Sequence, residues 1–479
     1  MEDWINRSPE YFDFPIPEFQ GNPLVEALKP PPKDVREAIL RLSQPPLFNI
    51  KERDLPSYMR AMLPSRLQKF MFPTEQHVRL LERIYCQILN GYRRYNPATV
   101  VGQQYLHGEC SPSWKGNPEK TPSNISLLTG LSGMGKSTLI SAVMHTIGCP
   151  LILHSNYKGN PFTESQILYL MRNVPDQCSA KAVCRKIGLH ADEILGKNLY
   201  AKRFTDKASR SEYVSAIEDI IKNHHIGALV IDEIQNISLA KSGGRDEVLA
   251  LFHNLRDELG VPIILVGTYK VAAMLKEETS LARRLVEGGF HELKRPPNPD
   301  DKNWKALCKT VWHYQWVRNP QPFSDEVAQK LYELSQGITG IMINIFVTAQ
   351  TYAIEEGLET LTLSMLDEVY HERFRPVHHI IHLLRENNPA VLSQYDDLYL
   401  NAMSEMGDDP YQNRINALRK EMEEKQESLL ESLNNPGAEL KKDTMPLRQG
   451  SKSKLAAKTL HESLRESIQN PAKPFGGTA

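Results

Sequence analysis

Long apolar runs are missing from this 479-residue chain: its most apolar windows, such as 261–266, are strand-sized. About 20 consecutive apolar residues are needed to cross a bilayer, so no membrane span is expected. The opening MEDWINRSPE is polar and acidic, which does not fit a secretory leader. Cysteine is scarce. Six are scattered along the chain (Cys86, Cys110, Cys149, Cys178, Cys184 and Cys308), with no CxxC pair, so reduced thiols and a cytosolic compartment are expected. Neither His107-x-x-Cys110 nor Cys178 and Cys184 with His190 reaches zinc-ligand spacing. An excess of one charge sign is lacking too: 57 Lys and Arg face 58 Asp and Glu, a net charge of -1. That balance excludes a polycation that coats nucleic acid, but leaves room for a local basic surface. Hydrophobic residues at 41% and charged residues at 24% describe a globular chain with a full-sized core, long enough for about three modules.

What is present is unevenly distributed. Residues 1–64 hold 11 of the 32 prolines, interspersed with Trp4, Tyr11, Phe12, Phe14, Phe19 and Phe48. Proline removes backbone donors and interrupts helices, so this stretch reads as an extended docking arm whose aromatics meet a neighbouring surface or a partner. From 65 the spacing turns helical, with an amphipathic helix over about 75–90 and Thr74 as its cap. Residues 107–122 read as a loop. Strands are then predicted at 125–129, 151–154, 228–231 and 262–266, with helices at 136–147, 166–171, 180–189, 211–223 and 246–259. Short apolar strands alternating with helices imply an α/β domain, 65–298, with a parallel sheet covered on both faces. Residues 299–385 read as all helical, with segments at 304–312, 324–333, 340–356 and 364–369. Residues 386–479 read as a charged helix followed by a tail whose last 39 residues hold eight Lys or Arg against three acids.

The chemistry concentrates in Gly130-Leu131-Ser132-Gly133-Met134-Gly135-Lys136-Ser137, a complete GxxxxGK[ST] element followed by Thr138. It follows an apolar strand and opens a helix, the context in which such a loop cradles phosphates. Backbone N–H groups converge on the β-phosphate, Lys136 reaches the β- and γ-phosphates, and the Ser137 hydroxyl ligates Mg²⁺. The expected cofactors are therefore ATP and Mg²⁺. About 95 residues on, Ala228-Leu229-Val230-Ile231-Asp232-Glu233 ends an apolar run in two carboxylates. Asp232 is expected in the Mg²⁺ shell and Glu233 as the general base for the attacking water. Thr268, closing the 261–266 strand, either touches the γ-phosphate or caps a helix. Arg283 and Arg284 offer a guanidinium that could reach a neighbouring subunit's nucleotide, one of the two serving as an ordinary surface residue.

The loop GLSGMGKS, the acidic element ALVIDEIQNI, the strand VPIILVGT and the arginine pair resemble AAA+ ATPases, and among them the TnsC and TniB regulators of DNA transposition. The resemblance covers about 66–385 and implies an AAA+ P-loop ATPase: a parallel-sheet core with a C-terminal helical lid, here with an N-terminal arm and a C-terminal tail. It implies a bacterial cytoplasmic ATPase that binds duplex DNA without sequence preference. Such proteins form rings or filaments of six or seven subunits per ring or turn and couple a TniQ-type target selector to transposase subunits. It assigns Lys136, Ser137, Asp232 and Glu233 to the two Walker elements, Thr268 to the sensor, and Arg283 or Arg284 to the trans-acting finger. The chain departs from the pattern in one place: Gly337-Ile338-Thr339-Gly340-Ile341-Met342-Ile343-Asn344 carries no arginine where many AAA+ lids place one.

Lys241 and Arg245, in Ser238-Leu239-Ala240-Lys241-Ser242-Gly243-Gly244-Arg245, resemble pore-facing residues, with Lys270 and Lys276 as further candidates for phosphate contacts. An ordinary solvated loop is the competing reading. The arm suits a target selector, and the basic tail suits transposase components or DNA. Two other functions share the fold. A replication initiator or helicase loader would need a DNA-reading module after the lid, which 386–479 does not offer. A nucleotide-gated signalling scaffold would assemble without DNA.

Overall fold

The computed structural model describes residues 4–106, 124–174, 179–205, 207–239, 251–252, 255, 260–271 and 288–386. The chain divides into two units, Met1–Asp408 and Asp409–Ala479, and all described residues belong to the first. The helix expected at 246–259 falls largely outside the described residues, and the loop at 107–122 and the tail fall there entirely.

Five parallel strands form the central sheet: β2 (Ile125–Gly130), β5 (Tyr169–Asn173), β6 (Ala228–Asp232), β7 (Ile263–Gly267) and β8 (Phe290–Leu293), in the order β5-β6-β7-β2-β8. Every residue of β2, β6 and β7 is buried, the signature of a sheet covered on both faces. Successive residues go to opposite cores: Leu127, Leu229 and Leu265 to one, Leu128, Val230 and Val266 to the other. Helices α7 (Ala180–Leu195) and α8 (Arg210–Asn223) contribute to the first core, α4 (Glu75–Tyr92) and α6 (Lys136–Ile147) to the second.

The helix expected at 166–171 is contradicted by two strands, the end of β4 (Asn160–Ile167) in a second sheet and the start of β5 in the central one. Strand β3 (Leu151–Tyr157) turns through Lys158 and Gly159, both with positive φ, into β4, and β1 (Ile5–Asn6) adds a parallel edge. Two consecutive left-handed residues make the tight hairpin turn that matches strand twist. The misreading has a cause. Ile167 and Leu170 enter one core while Leu168 and Tyr169 enter the other, so the run lacks the polar alternation that marks a strand.

The arm does not wait for a partner to order its aromatics. Phe14, Leu24, Val25 and Leu28 of the segment around α1 (Pro23–Glu26) are buried with α4 and α6. Tyr11 Oη lies 2.9 Å from His154 Nδ1, and Glu26 accepts from Tyr157 Oη at 2.7 Å. Fully burying a leucine contributes about 1.5–3 kcal/mol, enough to hold down a chain already stiffened by proline. Trp4 remains 53% exposed. After α2 (Val35–Leu42) the chain leaves the sheet and runs onto the C-terminal helices through α3 (Ser57–Arg60). Phe48 stands edge-on to Trp316 at 5.1 Å, and Trp316 Nε1 donates to Glu52 at 2.9 Å. The Arg60 guanidinium, with no solvent exposure, grips both carboxylate oxygens of Glu359 and the Trp316 carbonyl. Residues 4–72 thus cross-brace the sheet domain to the helical one. A short α5 (Val100–Leu106) follows α4.

The helical module comprises α9 (Lys302–His313), α10 (Asp325–Ser335), α11 (Thr339–Glu355), α12 (Leu363–Arg373) and α13 (Arg375–Arg385). Asp301, Ser324 and Thr362 cap α9, α10 and α12 by accepting backbone N–H bonds in the first turn. Trp304, Trp312, Trp316, Phe346 and Leu366 form its core. Among the described residues no single helix is long and apolar enough to cross a membrane.

Candidate nucleotide site

Strand order creates the site. The strand β2 leads through α6 and the β3–β4 hairpin to β5 at the far edge, and β6 and β7 fill the gap on the way back. A crevice is left at the carboxyl ends of the strands, where open α/β sheets bind ligands. Its floor is the 130–137 loop. Gly135 takes φ 84 as the N-cap of α6 and supplies no side-chain cap. The first turn of α6 has no side chain across its end, and the positive end of the helix dipole there favours an anion.

Lys136 is buried, and its Nζ donates to the carbonyls of Gly130 and Leu131 at 3.0 Å each. The Ser137 hydroxyl donates to Asp232 Oδ2 at 2.6 Å, joining the two elements that lie 95 residues apart in the chain. Asp232 is 2% exposed, and its other oxygen accepts the Glu233 N–H at 2.8 Å. A hydroxyl and a carboxylate in contact at the mouth of a phosphate loop are the hard oxygen donors that Mg²⁺ takes, and the cradle above them fits a nucleotide triphosphate. Glu233 has φ 56, a left-handed conformation unusual for a residue with a side chain. Its carboxylate accepts from Gln235 Nε2.

Thr268 is 1% exposed at the end of β7, and its Oγ1 has no hydrogen-bond partner among the described residues. It therefore does not cap the turn that follows, whose Val271 N–H is taken by the Thr268 carbonyl at 3.0 Å. Lys270, two residues on, is half-buried. Gly130, Ser132, Gly133, Met134, Gly135, Lys136, Ser137, Thr138, Asp232, Glu233 and Thr268 share this one end of the sheet. Lys241, Arg245, Lys276, Arg283 and Arg284 lie outside the described residues.

Two neighbours of the site were not singled out from sequence for a role in it. Gln235 links Glu233 to the backbone of Thr268. Gly340, at the start of α11, donates its N–H to the Gly133 carbonyl at 2.8 Å. A Cβ at Gly340 would sit 2.9 Å from that carbonyl oxygen, so only glycine permits the approach. The arginine-free stretch 337–344 thus lies directly on the phosphate loop and meets it by backbone. No pattern of charges could have flagged this contact, since it uses none.

Residues 120–275 match the model of the AAA domain family. No curated protein matches the chain. Among solved structures, a Walker-type ATPase of Pyrococcus abyssi is 16% identical, covering 56% of this chain and 72% of that one, with a TM-score of 0.36. PCH-2 of C. elegans is 12% identical, covering 64% and 70%, with a TM-score of 0.35. The RuvB Holliday junction branch migration motor of Thermotoga maritima is 14% identical, covering 60% and 78%, with a TM-score of 0.32. At such scores these likenesses add nothing to the family match and the strand order. With the match of residues 120–275 to the AAA domain family, the strand order and the phosphate loop make the chain an ATPase of α/β AAA+ P-loop fold with a C-terminal helical region.

Proposed function

We propose that this ATPase is a nucleotide-timed regulator that assembles on duplex DNA and passes a target choice to a transposase, as the resemblance to TnsC and TniB regulators implies. The observation that carries the timing is the hydrogen bond from Gly340 to Gly133. It makes the placement of the helical module depend on the shape of the phosphate loop, so filling the loop acts on the lid directly. In this reading the amides of 133–137 and Lys136 hold the phosphates, and Ser137 and Asp232 hold Mg²⁺. Mg²⁺, when bound, offsets charge on the terminal phosphate. Glu233 takes the proton of the attacking water, and Thr268 faces the same phosphate. Arg283 or Arg284 completes the site of a neighbouring copy, which ties turnover to assembly. Hydrolysis then sets how long the assembly persists.

The DNA part rests on Lys241, Arg245, Lys270 and Lys276. One weak phosphate contact repeated around a ring or filament becomes useful affinity. Such binding falls steeply with salt and is indifferent to sequence. A TniQ-type selector and transposase subunits are the partners the resemblance implies.

The test is negative-stain electron microscopy with a slowly hydrolysed ATP analogue, with and without duplex DNA, alongside Lys136→Ala. Rings or filaments that need both nucleotide and duplex, and are lost in the variant, support the regulator. Assembly indifferent to DNA refutes it in favour of a nucleotide-gated scaffold.

A further inference from the structure

Gln235 is 6% exposed beside the catalytic crevice, and both ends of its amide are in use. The Thr268 N–H points at Gln235 Oε1 at 3.2 Å. A backbone N–H can only donate, so the oxygen of the amide must face Thr268, and the –NH₂ end is then turned to the Glu233 carboxylate, which can only accept. The orientation is settled by chemistry. The residues around it make room for this arrangement. Gly267, the last residue of β7, lacks the Cβ that would stand 2.7 Å from Gln235 Oε1. The left-handed backbone at Glu233, φ 56, breaks the line of β6 and opens a turn in which side chains two residues apart meet, as they would not on an α-helix.

We propose that Gln235 is the positioning residue for Glu233, tying its carboxylate to the end of β7. Thr268 closes the same strand with a buried hydroxyl that has no partner among the described residues. Any displacement of that strand end by a terminal phosphate is passed through one amide to Glu233. The base is then aimed by what occupies the sensor position, and an empty site holds it fastened. This rests on the reading of Glu233 as the general base.

The experiment is a double-mutant cycle on the full chain. Gln235→Ala and Gln235→Glu are each made alone and with Glu233→Gln. Single-turnover hydrolysis is followed together with binding of a slowly hydrolysed ATP analogue. Gln235→Glu keeps the size and the acceptor for the Thr268 N–H, but replaces the donor to Glu233 with a second carboxylate, while Gln235→Ala removes the donor without adding charge. Both single variants are expected to lose about 10- to 100-fold in hydrolysis, the range for groups that orient a reacting residue. Binding of the analogue stays unchanged, which also shows that the fold is intact. In the Glu233→Gln background neither substitution costs anything further, because residues that act as a unit are not additive. Wild-type hydrolysis by Gln235→Glu, or an equal loss in both backgrounds, overturns the proposal. Wild-type hydrolysis by Glu233→Gln alone overturns the base assignment first, and the proposal with it.

Discussion

Replacing Arg60 with methionine tests whether residues 4–72 brace the helical module. The guanidinium is fully buried and makes two bonds to Glu359 and one to the Trp316 carbonyl at 3.3 Å. Methionine fills much of the same volume with no charge. Removing one partner of a buried pair costs about 3–5 kcal/mol, because the other charge is left behind. The lower end applies, since Glu359 is 15% exposed and keeps the Arg318 N–H at 3.2 Å. Three of the five tryptophans, Trp304, Trp312 and Trp316, are buried in the helical core. Urea unfolding followed by tryptophan emission therefore reports this region. Arg60→Met should lower the unfolding free energy by about 3 kcal/mol. Adding Glu359→Gln should recover part of it, because the stranded charge is gone. The Arg60 guanidinium also holds the Glu359 carboxyl below its ordinary range. A depressed carboxylate adds stability above its unfolded pKa that is lost as pH falls through the folded one. The difference between wild type and Arg60→Met should accordingly narrow as the solution is acidified. A loss under about 1 kcal/mol, or a double variant as damaged as the sum of the singles, would refute the brace.

Gly340→Val should push the lid away from the phosphate loop, since a rigid carbonyl lies 2.9 Å from the new Cβ. Overpacking of this kind costs about 1–3 kcal/mol, so nucleotide affinity measured by calorimetry should fall roughly tenfold. Ser137→Ala removes the hydroxyl bonded to Asp232 at 2.6 Å. The Mg²⁺ concentration for half-maximal ATPase activity should rise several-fold, and an unchanged requirement would remove Ser137 from the Mg²⁺ shell. Burial holds His77, His154, His190 and His224 at a pKa of about 4. The unfolded chain binds their protons at about 6.5. Stability should therefore be full above that value and fall from pH 6.5 toward 4, by up to about 1.4 kcal/mol per pH unit for each histidine. A flat denaturation midpoint across this window would show that these rings are not held neutral.

Much of the helical half was legible because its signals are local. Caps at Asp301, Ser324 and Thr362 open segments whose apolar residues recur at 3.6-residue spacing. The strands β4 and β5 were harder. Residues 166–171 are buried on both sides, so nothing in their order separates helix from strand until the sheet exists. The arm was legible only in part, for a related reason. Proline and aromatic density shows that a segment cannot fold alone, and does not say whose surface it covers.

The phosphate loop and the acidic strand end stand out in the sequence alone, because each groups the particular atoms that phosphate and Mg²⁺ would require at short, fixed spacing. That Ser137 meets Asp232 across 95 residues, that Gln235 bridges Glu233 to Thr268, and that Gly340 rests on Gly133 were decided only by the tertiary structure. These contacts use a hydroxyl, an amide and bare backbone, groups common everywhere in the chain. They acquire meaning only when strand order and packing bring them within hydrogen-bond reach.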